Sequence, residues 1–168
     1  MKKTRWFIAL LLAAAFVFGG CSSDSDDDDD SSSSSSITAS SVKTNSEAIS
    51  YILSLSPLNS LSEKSRYVCD QSENSETEIK TIIFLSSSTY VKIDFYNGAE
   101  GIAFYAGYGT YSADPTTASV NSTITLTKTH ETNDDKTGFE TCETDTDDYT
   151  VLSSTQLKKS DLTYKKQE

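Results

Sequence analysis

Histidine occurs once in this sequence, proline twice, and methionine and tryptophan once each. With His130 as the sole imidazole, no His-Glu-x-x-His zinc motif can be written, and neither a Gly-x-Ser-x-Gly elbow nor a phosphate-binding loop occurs. Basic residues are also scarce: 14 Lys and Arg stand against 25 Asp and Glu, for a formal charge of −11. A nucleic-acid partner is excluded on that ground, because phosphate binding needs a basic patch. Direct adhesion to anionic lipid is disfavoured for the same reason. Only one long apolar run exists, Trp6 to Phe18, and it falls short of the roughly 20 residues that cross a bilayer.

That run is read as a targeting signal. Lys2, Lys3 and Arg5 precede it, and Gly19, Gly20 and Cys21 follow; a basic start, a short apolar core and small residues are the parts of a secretory signal. Phe18-Gly19-Gly20-Cys21 resembles the lipobox of bacterial lipoproteins. The resemblance implies a signal peptide over residues 1–20, cleavage after Gly20, a lipid thioether on Cys21 and acylation, such as palmitate, of the new amino terminus. Two or more chains give stable anchoring. The implied place is the bacterial cell envelope, and Ser22 after the cysteine favours the outer membrane over the inner one.

Ser22 to Ser36 holds only serine and aspartate, with Asp24 and Asp26 to Asp30 charged. Such a segment cannot bury apolar surface and repels itself, so residues 21–36 read as a disordered tether behind the anchor. A calcium-collecting role for Asp26 to Asp30 is the weaker reading, because a run of carboxylates has no fixed geometry. Residues 37–168 are then one domain of ordinary size.

Its period starts helical and becomes two. Thr44-Asn45-Ser46-Glu47 has the form of a capping box. Ala48, Ile49, Ile52 and Leu53 follow at helical spacing, and Pro57 ends the run, which predicts a helix near 45–56. Its apolar face is expected to plug or cover one end of the β-structure. Strands are predicted over 65–71, 78–85, 89–96, 102–111, 122–129, 149–152 and 156–164. Residues 131–148 read as an acidic loop with a short strand near Phe139 to Cys142. Asn97-Gly98 is the strongest hairpin signal. In 89–96, Val91, Ile93 and Phe95 alternate with Lys92 and Asp94, so the apolar set is expected to face the core and the charged set water. The fold class is all-β: an antiparallel up-and-down barrel, or barrel-like meander, of seven or eight strands with one N-terminal helix.

The stretch Tyr108-Gly109-Thr110-Tyr111-Ser112-Ala113-Asp114-Pro115, then Ser122-Thr123-Ile124-Thr125-Leu126-Thr127, resembles the lipocalin-like domains of small bacterial lipoproteins. Leu162-Thr163-Tyr164-Lys165-Lys166 resembles their last strand. The resemblance implies an up-and-down barrel and names no ligand; the Gly-x-Trp and C-terminal helix of true lipocalins have no counterpart here. Tyr67-Val68-Cys69 is a fainter echo of β-barrel lysozyme-inhibitor lipoproteins.

Two cysteines remain besides the anchor. In an oxidising compartment Cys69 and Cys142 are expected to form a disulfide, which would stabilise the fold by roughly 4 kcal/mol in the chain-entropy account; two free thiols are the alternative. No metal site is expected. Asn133 to Gly138 imitates the start of an EF-hand loop, but its twelfth position is Thr144 rather than glutamate; Asp145, Asp147 and Asp148 gathering around a cation in another geometry is the alternative to a solvated acidic loop. No cofactor or catalytic residue is expected either. Asp94 is the carboxylate inside the alternating strand 89–96: on the outer surface it leaves no catalytic centre, whereas in an enclosed polar pocket beside a second carboxylate or His130 it makes acid–base chemistry conceivable. Phe95, Phe104 and Tyr108 are candidate ligand-lining residues, for a small apolar molecule. The expected function is a non-enzymatic binding or interaction domain, with a small ligand or an envelope or host protein as partner. The alternative is a structural or antigenic surface lipoprotein without a specific ligand.

Overall fold

A computed structural model describes residues 37–168. The expectations for the signal segment, for Cys21 and for the Ser/Asp tether lie outside the described residues. Thr44 caps the helix α1 (Asn45–Ser54): its hydroxyl accepts from the Glu47 amide, and the Glu47 carboxylate accepts from the Thr44 amide at 3.0 Å. Two orphan amide groups are thereby satisfied, so the capping box read in the sequence is present. Ala48, Ile49, Tyr51 and Ile52 form the buried face of α1.

Eight antiparallel strands follow in sequence order: β1 (Glu63–Asp70), β2 (Thr77–Leu85), β3 (Thr89–Gly98), β4 (Gly101–Tyr111), β5 (Thr123–Thr132), β6 (Phe139–Ser153), β7 (Gln156–Lys159) and β8 (Leu162–Gln167). Each pairs with the next, and β8 returns to β1 through Arg66–Gln167, Tyr67–Lys166 and Val68–Lys165, which closes the barrel. This is the up-and-down architecture expected. Closure leaves few free edges that could template aggregation, the main one being the first part of β6.

Three details depart from the sequence reading. The stretch expected as an acidic loop is mostly β6, a strand of 15 residues paired with β5. Thr141, Thr144 and Thr146 favour an extended chain, and Asp145 and Asp147 line the lumen. The expected last strand is a hairpin, β7 and β8, turning at Ser160, which holds a positive φ of 53°. The Asn97-Gly98 pair belongs to β3; the turn centres on Ala99 and Glu100, and Gly101 supplies the left-handed φ of 101°.

The core has two layers. One lies inside the barrel at the end away from the β3–β4 turn, where Tyr67, Phe84, Tyr111, Ile124, Tyr149 and Tyr164 are buried. Their rings meet edge to face, as Tyr67 with Phe84 at 5.8 Å and Phe84 with Tyr111 at 5.0 Å. Two phenols are satisfied by backbone: Tyr67 donates to Ser154 O at 2.8 Å and Tyr111 to Leu85 O at 3.1 Å. The other layer lies outside, where α1 packs on the wall made by β2, β3 and β4. Ile49 and Ile52 meet Ile83, Val91, Ile93, Phe95 and Phe104 in this layer, and each buried aliphatic chain contributes roughly 1.5–3 kcal/mol. Tyr51 stands edge-on to Phe104 at 6.0 Å and donates to Lys136 O at 2.6 Å. The helix therefore covers a side wall, not an end.

Candidate functional site

The outer packing of α1 turns β3 around. Val91, Ile93 and Phe95 face the helix, so the alternate residues Tyr90, Lys92 and Asp94 line the lumen. The expectation that Asp94 faces outer solvent is corrected. An apolar strand face seeks cover, and here the cover is a helix outside the barrel.

Tyr90, Lys92, Asp94, Tyr105, Gly107, Leu126, Lys128, Asp145 and Asp147 enclose a cavity of about 220 Å³. Register explains the grouping. Asp94 lies opposite Lys80 on β2 and Tyr105 on β4, Lys92 opposite Gly107, Leu126 opposite Asp147, and Lys128 opposite Asp145. Gly107 leaves the space open: a β-carbon there would meet Lys128 Cδ at 2.8 Å and His130 O at 3.3 Å. The first part of β6 is paired only with β5, since the ladder to β7 starts at Thr150. Among the described residues no strand closes the wall beside Asp145 and Asp147.

Charge in the lumen is organised around one carboxylate. Asp147 accepts from Lys92 at 3.4 Å through one oxygen and from Lys159 through the other. Burial would raise its pKa, but the Lys159 and Lys92 ammonium groups outweigh that and hold it below the usual carboxylate value. At the rim, Glu131 accepts from Tyr105 Oη and from Lys128 Nζ at 3.2 Å; these donors lower its pKa as well. Burial opposes the charge on Lys128, yet Glu131, with Cys142 and Asp145, leaves its pKa raised. Burial, then the charges of Asp147 and Asp145, push the Tyr90 phenol above its ordinary value.

One acceptor of the cavity lining is left over. Asp94 Oδ1 is shut away from solvent with no hydrogen-bond partner; the Tyr149 hydroxyl lies in the ring layer, with the Tyr164 ring edge-on at 5.5 Å. Orphaned buried acceptors are rare in native structures and mark places where something else binds or reacts.

Phe95, Phe104 and Tyr108 do not line this cavity; Phe104 lines a separate surface pocket with Ile102 and Lys136. Phe95 and Phe104 lie in the outer layer under α1. Tyr108 stacks on the His130 ring at 4.4 Å, with Phe139 edge-on at 4.8 Å. His130 is paired with Tyr108 across the β4–β5 ladder, facing away from the lumen. The expected disulfide is absent: Cys69 and Cys142 are free thiols. Cys69 is on β1 and Cys142 on β6, and β7 and β8 come between those strands. Burial raises the Cys69 thiol.

The sequence reading missed Tyr90, Tyr105, Lys128, Asp145 and Asp147 as lining residues. For β3 the alternation itself held the signal, once the apolar face was assigned to the helix. For β6 the acidic run drew notice only as a loop that could gather a cation, and its extended pairing with β5 was not legible. No protein-family model, no curated protein and no solved structure matches this chain.

Proposed function

We propose that this chain is a lipid-anchored envelope protein whose barrel is a binding module, with the open half of the lumen as its site. The anchor rests on Phe18-Gly19-Gly20-Cys21 and the basic and apolar residues before it; the outer membrane is the favoured location. Kinship with lipocalin-like lipoproteins belongs to the same proposal, supported by the sequential order of the eight strands. The observation that carries the binding role is the half-filled barrel: one end is packed with rings, and the other keeps a polar cavity of about 220 Å³. Eight-stranded barrels are just wide enough to fill with side chains or hold one small ligand. The ligand suited to this lumen is polar, in place of the apolar molecule that the aromatic residues first suggest.

The same cavity supports a second reading. Asp94 shares a polar space, open beside β6, with Asp145 and Asp147, and carboxylates gathered in a cleft make acid–base catalysis conceivable. Binding without turnover is preferred, because the paired lysines immobilise Asp147 and the imidazole lies outside the lumen.

Native mass spectrometry of the protein purified from its own envelope tests the proposal. The wild type is expected to carry a small molecule that Gly107→Val, which fills the lumen, fails to retain while melting cooperatively. Bare protein in both cases would leave a surface lipoprotein without a specific ligand. Release of the molecule in an altered form would favour the catalytic reading.

A further inference from the structure

We infer that the open lumen takes a small organic cation, an amine or guanidinium compound, whose charge is received by Asp94 with Asp145 at the mouth. The inference rests on the reading of the lumen as a binding site and adds the chemical class of its occupant.

The lysines of the lumen are all engaged. Lys92 and Lys159 share Asp147, and Lys128 is held by Glu131. Lys80 faces Asp94 across the β2–β3 ladder, but its ammonium is held by Gln71 Oε1 at 2.7 Å and by Glu78. The carboxylates are not all engaged. Among the described residues Asp94 and Asp145 make no ion pair: Asp145 Oδ1 accepts only the Thr146 amide at 2.9 Å, and Asp94 Oδ1 accepts nothing although it is buried. An entering anion would have to break lysine pairs in the presence of three aspartates. An entering cation meets acceptors that stand ready and lose nothing.

Shape and surroundings narrow the class. At about 30 Å³ per water the cavity equals roughly seven waters, and so suits a molecule of about that many non-hydrogen atoms. Tyr90 and Tyr105 line it, and a tyrosine face attracts a cation within about 6 Å; Lys128 already sits 5.9 Å from the Tyr105 ring. The carboxylates are spread around the wall: among the described residues no three of His, Cys, Asp and Glu are gathered closely enough for a metal ion. An elongated organic cation with donors along its length matches that spread better than a point ion.

Calorimetry on the whole lipidated protein in detergent tests this, with 1,5-diaminopentane, glutarate and pentan-1-ol as probes. The diamine is expected to bind at least tenfold more tightly than the alcohol and more tightly than the diacid. Asp94→Asn and Asp145→Asn are each expected to weaken it by about tenfold, with cooperative melting retained. Equal affinity for diamine and alcohol, or no loss in either variant, would overturn the inference. Preference for glutarate would overturn the cationic class and leave the binding module standing. No heat with any probe, together with bare protein from the envelope, would overturn both.

Discussion

Lys80 and Asp94 are direct cross-strand partners on the lumen face of β2 and β3, yet they do not neutralise each other. Lys80 turns to Gln71 and Glu78, and an oxygen of Asp94 is left buried and unpaired. An isolated acceptor out of water costs about 1–3 kcal/mol, and sites kept for binding commonly carry such a cost. The protein therefore holds an unpartnered carboxylate oxygen in its lumen.

Removing that charge should stabilise the empty barrel. Asp94→Asn keeps the shape and lifts the repulsion from Asp145 and Asp147. The expected outcome is a rise of about 2–4 °C in melting temperature, read by differential scanning calorimetry. A fall of similar size would mean that Asp94 has a partner after all.

Asp147 should behave in the opposite sense. It is the hub for Lys92 and Lys159, and Asp147→Asn leaves two ammonium groups together with no counter-charge. A loss of about 2 kcal/mol is expected, measured as a lower urea midpoint at unchanged slope. Wild-type stability in this variant would show that the lysines are solvated rather than bound.

Stability should be flat through neutral pH and fall at both ends. The carboxyls of Asp147 and Glu131 are depressed by their lysine and tyrosine donors, so their contribution is present above the ordinary carboxylate value near 4 and is lost as pH falls through the folded values. Tyr67 is pushed up to about 12 by burial and then by Asp114. Its phenol ionises in the unfolded chain near 10, so stability declines as pH rises from there toward the folded value. Equilibrium unfolding from pH 3 to 11 checks both limbs; Asp147→Asn should flatten the acid one.

The free thiols are distinguishable. Cys142 is half-buried, and Cys69 is buried with its thiol raised. Without reductant, a maleimide should label Cys142 quickly and Cys69 only as the protein opens. Failure of both to react until a reductant is added would restore the disulfide.

Much of the fold was legible because its signals are local. Thr44 to Glu47 stated a helix start, Pro57 stated its end, and the alternation in 89–96 and 122–129 stated strands. Periodicity gives two faces but not which one is inside. Ile124 and Leu126 point into the barrel as expected, while Val91, Ile93 and Phe95, equally apolar, point out. The difference is α1, a distant segment that covers β3 and not β5. Misplacing that face hid the site, since Lys92 and Asp94 look like ordinary wet positions until the barrel is closed around them. The acids of β6 stayed hidden for another reason: Asp145 and Asp147 line the lumen only because β5 holds that run extended.

A crystal structure of the protein purified from its own envelope, with no ligand added, tests the central claim most directly. The account predicts Val91, Ile93 and Phe95 under the helix, Asp94 facing the lumen, and non-water density between Asp94, Asp145 and Tyr90. Asp94 on the outer surface, or a lumen closed by side chains from end to end, would contradict it.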